Sequence, residues 1–220
     1  MNPRTVFVTG GTGYVGRRMI AELLRRGHRV KALARPGSEG KLPPGCEPVS
    51  GNALDGMSFV AAIEPADTFV QLVGVAHPSP AKAKQFREID LVSAKESAHA
   101  AATAGIEHFV YLSVAMPAPV MKAYQAVRAE GEAALAKAGL KATLLRPWYV
   151  LGPGHRWPYL LLPLYWLMER LPPTRASARR LGLVTLPQMV AALVAAVETV
   201  PAATRIIEVP DIRKAALGLS

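Results

Sequence analysis

Cysteine is nearly missing from this chain: Cys46 is the single one in 220 residues. No disulfide can form within it, and a reducing, cytoplasmic setting is expected. Gly45 and Glu47 beside it offer no activating base, so the thiol is read as structural. Aromatic residues are scarce at 6% and are not interleaved with the basic ones. Acidic residues are also few, 16 Asp plus Glu against 26 Lys plus Arg, for a net charge of +10. That excess would suit nucleic acid, yet the cations are scattered and no helix-turn-helix or zinc-finger spacing occurs, so no nucleic-acid partner is expected. His28, His77, His99, His108 and His155 stand apart from one another and from Cys46, which leaves no metal-ligand spacing. No Gly-Lys-Ser/Thr ending of a nucleotide-hydrolase loop and no Gly-x-Ser-x-Gly elbow is found. No apolar run approaches the ~20 residues of a spanning helix. Only a few residues separate Met1 from the first apolar run, so no export signal is expected.

What is abundant is apolar sequence arranged in a strand-helix alternation. Half of the residues are hydrophobic, enough for one globular domain over 1–220. The most informative stretch is Thr9-Gly10-Gly11-Thr12-Gly13-Tyr14-Val15-Gly16, directly behind the apolar run Val6-Phe7-Val8. After it, Val15, Met19, Ile20, Leu23 and Leu24 share one helical face up to Gly27, which can cap the end. Strand, glycine turn and helix in this order predict a dinucleotide-phosphate cradle. Gly10 allows a sharp turn, Gly13 lets backbone approach a pyrophosphate, and Gly16 lets the helix pack closely. The helix N-terminus adds unpaired N–H groups and partial positive charge. An ordinary tight turn would show the same glycines, and it is the flanking elements that argue for the cradle.

A second unit, His28-Arg29-Val30-Lys31-Ala32-Leu33-Ala34-Arg35, alternates into a strand and breaks at Pro36-Gly37-Ser38. In a dinucleotide fold an acidic residue at that point binds the ribose 2′-hydroxyl of NAD, and an arginine accepts the 2′-phosphate of NADP. Arg35 occupies it, with no Asp or Glu between Arg25 and Ser38. NADP(H) is therefore the expected cofactor, ahead of NAD(H), unless Arg35 is only a solvated loop cation. Further strands around Pro48–Ser50 and over Asp67–Gly74, His108–Ser113 and Ala142–Arg146 alternate with helices near Asp55–Ile63, Ala81–Ala104 and Met121–Ala138. The pattern predicts an α/β, Rossmann-like, doubly wound parallel sheet. From Trp148 it loosens. A helix near Gln188–Val200 and a strand at Arg205–Val209 close a smaller C-terminal region, 148–220, expected to cap the substrate side. Ligands of such sheets sit beyond the carboxyl ends of the strands, where Gly10 to Gly16, Arg35, Asn52, Gly74, Ser113 and Pro147 all fall. The cofactor-binding set is thus Gly10, Thr12, Gly13, Tyr14, Val15, Gly16, Arg35, Asn52, Ala53, Val73, Gly74, Val75, Ser113 and Pro147, joined by Tyr124 and Arg128.

The glycine turn, Phe109-Val110-Tyr111-Leu112-Ser113, Tyr124 with Arg128 and Glu130, and Leu145-Arg146-Pro147-Trp148-Tyr149-Val150-Leu151-Gly152-Pro153-Gly154 together resemble the short-chain dehydrogenase/reductase superfamily. The likeness is to its atypical, NmrA-like or NAD(P)H-binding branch, which includes proteins similar to a complex I accessory subunit and to quinone-biosynthesis factors. The resemblance implies a Tyr that exchanges a proton as hydride moves and, four residues on, a Lys that holds the nicotinamide ribose. Such residues are neighbours on a helix. Here the pair is Tyr124 and Arg128, and an arginine supplies fixed charge without relaying a proton. Ser113 matches the first serine of the family's run, whereas Val114 and Ala115 carry no hydroxyl. Tyr111 alternates into a strand and is expected in the core.

These readings predict an NADP(H)-binding oxidoreductase acting on an apolar carbonyl or quinone-like substrate, with Tyr124, Arg128 and Ser113 catalytic. The alternatives are a non-catalytic NADP(H)-binding sensor or complex-stabilising module and, last, a sugar-nucleotide epimerase. Trp157 to Met168 is apolar and aromatic, with Arg170, Arg175, Arg179 and Arg180 behind it. It would serve as a peripheral membrane contact or a substrate-pocket wall; burial against the sheet or in a homodimer is the alternative.

Overall fold

A computed structural model of the protein describes residues 2–153, 168 and 170–215. Its centre is a parallel seven-stranded sheet in the order β3-β2-β1-β4-β5-β6-β9. The strands are β1 (Thr5–Thr9), β2 (Arg29–Ala34), β3 (Glu47–Ser50), β4 (Thr68–Gln71), β5 (His108–Leu112), β6 (Ala142–Arg146) and β9 (Arg205–Glu208). The order reverses between β1 and β4, which opens a crevice at their carboxyl ends.

Alternation along each strand builds two cores. Val6, Val8, Val70, Val110 and Leu145 face one side. There they meet Met19, Ile20 and Leu23 of α1 (Gly16–Arg25) and the apolar face of the helix Leu186–Glu198. Phe7, Phe69, Phe109, Tyr111 and Leu144 face the other, with Phe59 and α4 (Val92–Thr103) packed over them. Parallel register places Phe7 opposite Phe69 and Phe69 opposite Phe109. The Phe69 and Phe109 rings stack with centroids 5.0 Å apart. All three are fully buried, each contributing about 2–3 kcal/mol of apolar transfer.

The expected elements are present with shifted edges. Asp55 caps a short 3₁₀ turn, accepting from the Met57 N–H at 3.1 Å, before α2 (Val60–Ile63) begins. The helix expected over Ala81–Ala104 is not uniform. It opens as the 3₁₀ turn Pro80–Lys82, passes through α3 (Ala83–Gln85), widens to a π-helical segment over Phe86–Leu91 and continues as α4. α5 (Lys122–Lys137) follows the expected span. After Trp148 the chain contains elements the loosened periodicity did not show: the strands β7 (Tyr149–Leu151) and β8 (Leu183–Thr185) pair as a second sheet, and helices cover Pro172–Arg180 and Val209–Ala215. Two parts of the expected cap are built into the main layers. β9 pairs with β6, and the helix Leu186–Glu198 buries against α1, because its eight buried apolar positions need the sheet's surface. The apolar segment expected at a membrane or substrate lies outside the described residues except for Met168. No described helix is long and apolar enough to cross a membrane.

Candidate functional site

The sheet's crevice holds a cleft of about 550 Å³. Gly10, Thr12 and Gly13 enter it from the turn after β1, Arg35 from the end of β2, and Gly51, Asn52, Ala53 and Leu54 from the turn after β3. Leu72 to Ala76 line it from the segment after β4. Nine of the residues expected to bind a cofactor thus share one wall: Gly10, Thr12, Gly13, Arg35, Asn52, Ala53, Val73, Gly74 and Val75. They come from four strand ends far apart in sequence.

The turn has this shape for steric reasons. Gly10 has φ +78°, a region closed to most side chains, and a Cβ there would come within 2.7 Å of the Leu72 carbonyl carbon. A Cβ at Gly16 would collide with the Gly10 carbonyl oxygen, so this glycine serves the turn's own closure. Tyr14, Val15 and Gly16, also expected to bind the cofactor, do not line the cleft. Val15 leads into α1 and packs on the core, and Tyr14 carries the Arg18 guanidinium over its ring at 4.9 Å. Asn52 fixes its loop by accepting from the Leu54 N–H at 3.0 Å. Behind the cleft, the Gln71 side chain accepts from the Val73 N–H at 3.0 Å and from the Thr9 hydroxyl, and donates to Ser93 Oγ at 3.1 Å. This buried network ties β1, β4 and α4 together at the crevice.

Among the described residues, the cleft lining contains no carboxylate. With the Arg35 guanidinium on one side and the backbone of Gly10, Thr12 and Gly13 exposed to it, the cleft suits a ligand carrying several phosphates. The residues present therefore fit a nicotinamide dinucleotide. Gly10, Thr12 and Gly13 would hold its pyrophosphate and Arg35 its adenosine end.

The expected catalytic residues lie apart from this lining. Tyr124, half-buried in the first turn of α5, packs on Phe86 with ring centroids 4.8 Å apart, in a cluster with Val75 of the cleft wall. Arg128 is buried. Its Nη2 donates to Asp90 Oδ1 at 2.7 Å and its Nη1 to the Leu112 carbonyl at 3.0 Å and the Tyr111 hydroxyl at 3.4 Å. The guanidinium also lies over the Tyr124 ring at 5.0 Å. Its hydrogen bonds thus run to the protein's own acceptors. Burial opposes its charge, but Tyr124, Tyr111 and Asp90 outweigh burial and hold its pKa above the ordinary value. Burial pushes the Asp90 carboxyl upward, against the pull of Arg128 and of the Val75 N–H that donates to Oδ2 at 3.0 Å. Ser113 is buried, and its hydroxyl donates to Glu132 Oε1 at 2.6 Å, an oxygen also bound by Arg146 Nε at 3.0 Å. Pro147 is buried beside it, accepting the Ala115 N–H at 2.9 Å.

Sequence reasoning missed Asp90 and Lys82. Asp90 had a signal: it lies four residues from Phe86 on a helix, and both are fully buried, so a carboxylate stood where the apolar face continued. Lys82 lines the cleft with Gln85 and Ile89, and nothing in its local pattern sets it apart from Lys84.

A family model described as NAD(P)H-binding matches residues 10–155. The chain belongs to that NAD(P)H-binding family. Its motifs and its fold resemble those of the short-chain dehydrogenases/reductases. The NAD(P)H-binding protein is 30% identical over 112 residues to a 3-beta-hydroxysteroid dehydrogenase of Mycolicibacterium neoaurum, which covers 48% of this chain and 31% of that protein. It is 26% identical over 213 residues to a ceramide reductase of Caulobacter vibrioides, covering 95% of this chain and 65% of that protein. The match to the steroid dehydrogenase therefore spans about a third of that relative's length. In fold it matches the Bordetella bronchiseptica enzyme WbmH, solved in complex with NAD+, at a TM-score of 0.70 and 21% identity, over 94% of this chain and 76% of that one.

Proposed function

We propose that this NAD(P)H-binding protein is an NADP(H)-dependent oxidoreductase that reduces an apolar carbonyl or quinone-like substrate. The observation that carries the cofactor choice is Arg35 in a cleft with no carboxylate among its described lining residues. A carboxylate at that strand end would repel a 2′-phosphate, whereas a guanidinium binds it through two N–H donors. The apolar substrate is supported by the company the chain keeps, since the steroid and ceramide named in its relatives are both lipid-like.

When bound, NADPH supplies a hydride. Tyr124 is the proton donor in this reading, because its ring packs in the cluster that includes Val75 of the cleft wall. Arg128 sets the position of that phenol from beneath and holds Asp90, which in turn holds the Val75 N–H. The test is NADPH oxidation followed by absorbance against quinones, steroid ketones and long-chain ketones. Tyr124→Phe is expected to lower kcat by about 10²–10⁴-fold, the range for a positioned general acid, with NADPH affinity kept. Turnover that survives Tyr124→Phe undiminished refutes the role.

A second reading is favoured by a specific observation. Arg128 is engaged by Asp90, and the Ser113 hydroxyl is engaged by Glu132. A non-catalytic NADP(H)-binding module that senses cofactor or stabilises a partner would need neither group free. Tight NADPH binding without turnover on the whole panel would select it.

A further inference from the structure

We propose that Lys82 is a second phosphate-binding residue of the cleft, contacting a phosphate group of the dinucleotide. The inference rests on the reading that the nucleotide occupies this cleft. Lys82 ends the 3₁₀ turn Pro80–Lys82 and lines the cleft together with Arg35, which reaches it from another strand end. Its Nζ donates to the Ala76 carbonyl at 2.6 Å, and Ala76 itself lines the cleft. One of the ammonium's three donors therefore ties the charge to the cleft rim, and two remain for a ligand.

Lys82 differs in its setting from its neighbour Lys84, two residues on, which lies 3.6 Å from Glu88. Lys82 makes no ion pair with a described carboxylate, and none lines the cleft. A half-buried cation facing a concave, carboxylate-free surface concentrates anions there. Arg35 and Lys82 then form two separate positive sites on one cleft, beside the turn backbone of Gly10, Thr12 and Gly13. A dinucleotide with a pyrophosphate and a 2′-phosphate matches them better than a neutral ligand does. The two phosphate sources on such a ligand are separable by comparing NADPH with NADH.

The experiment is fluorescence titration of wild type, Lys82→Met and Lys82→Arg with NADPH and with NADH, at low and at physiological salt, with thermal melting of each variant. Lys82→Met keeps the aliphatic stem and is expected to weaken binding about tenfold, the loss of one charge-assisted hydrogen bond. Lys82→Arg is expected to stay within about threefold of wild type. An equal loss for both nucleotides places the ammonium on the pyrophosphate, and a loss confined to NADPH places it on the 2′-phosphate. Either result supports the proposal. Should Lys82→Met melt earlier, the Lys82→Arg titration decides: restored affinity marks the charge as the cause, and affinity as weak as in Lys82→Met overturns it. Unchanged affinity of Lys82→Met for both nucleotides overturns the lysine's role alone. Wild type that binds neither nucleotide overturns the underlying cleft reading as well.

Discussion

Replacing Arg128 by Met separates two roles that its spacing from Tyr124 leaves entangled. The Arg128 side chain is 5% exposed and that of Asp90 is 0% exposed, with 2.7 Å between Nη2 and Oδ1. Removing the guanidinium leaves the buried Asp90 carboxyl with the Val75 backbone N–H as its donor among the described residues outside its own turn. Breaking one side of a buried pair costs about 3–5 kcal/mol, because the remaining charge has lost both water and partner. A domain's whole stability is about 5–15 kcal/mol, so the loss is large. For a chain of this size it should lower the melting temperature by roughly 6–20 °C, at ~2–4 °C per kcal/mol. Urea unfolding would read the same loss as a lowered midpoint. The double variant Arg128→Met with Asp90→Leu removes both charges and should recover about half of it, leaving an orphaned Val75 N–H worth about 1–3 kcal/mol. The reasoning fails if Arg128→Met abolishes NADPH binding while its unfolding midpoint stays at the wild-type value. That result would make Arg128 the ribose clamp that the family resemblance implies and its contact with Asp90 incidental.

Arg35→Ala should weaken NADPH binding by about tenfold or more, since a guanidinium–phosphate contact contributes about 1.5–3 kcal/mol, and should leave NADH affinity within about twofold. Paired titration calorimetry checks it, and equal losses for both nucleotides would deny Arg35 its selective role. His108 provides a pH prediction. It is fully buried with Nε2 2.9 Å from Thr143 Oγ1, and burial, aided by Arg4 and Arg205, lowers its pKa from 6.5 to about 4. The unfolded chain then binds more protons than the folded one between those values. The stability contributed by the neutral ring is complete above about pH 6.5 and falls as pH drops toward 4, by roughly 1 kcal/mol at pH 5.5. Urea midpoints at pH 7.5 and 5.5 should show this for wild type, and the pH-dependent part should shrink in His108→Gln.

Tyr124 and Arg128 illustrate where local pattern stops being informative. Their spacing puts both on one face of α5, and the structure keeps them together, with the guanidinium over the ring. Which way Arg128 points was settled by Asp90, 38 residues earlier on another helix. Ser113 is similar: its place at the end of β5 is legible, but its proton acceptor is Glu132 on α5. The elements after Trp148 were harder still, because β7 and β8 are three residues each and show no alternation long enough to read.

By itself the sequence determined the strand-helix alternation, the glycine turn behind β1 and the cation at the end of β2. Each is set by residues within one or two turns of chain, through steric limits at glycine and through burial periodicity. Tertiary structure alone decided which charges far apart in sequence meet. An ion pair such as Arg128–Asp90 depends on a distance of a few ångströms between elements docked from far along the chain, and no local pattern encodes that distance. So Arg35 and Lys82 came to line one cleft with no acid among its described residues, while Arg128 was drawn onto Asp90 beneath its wall.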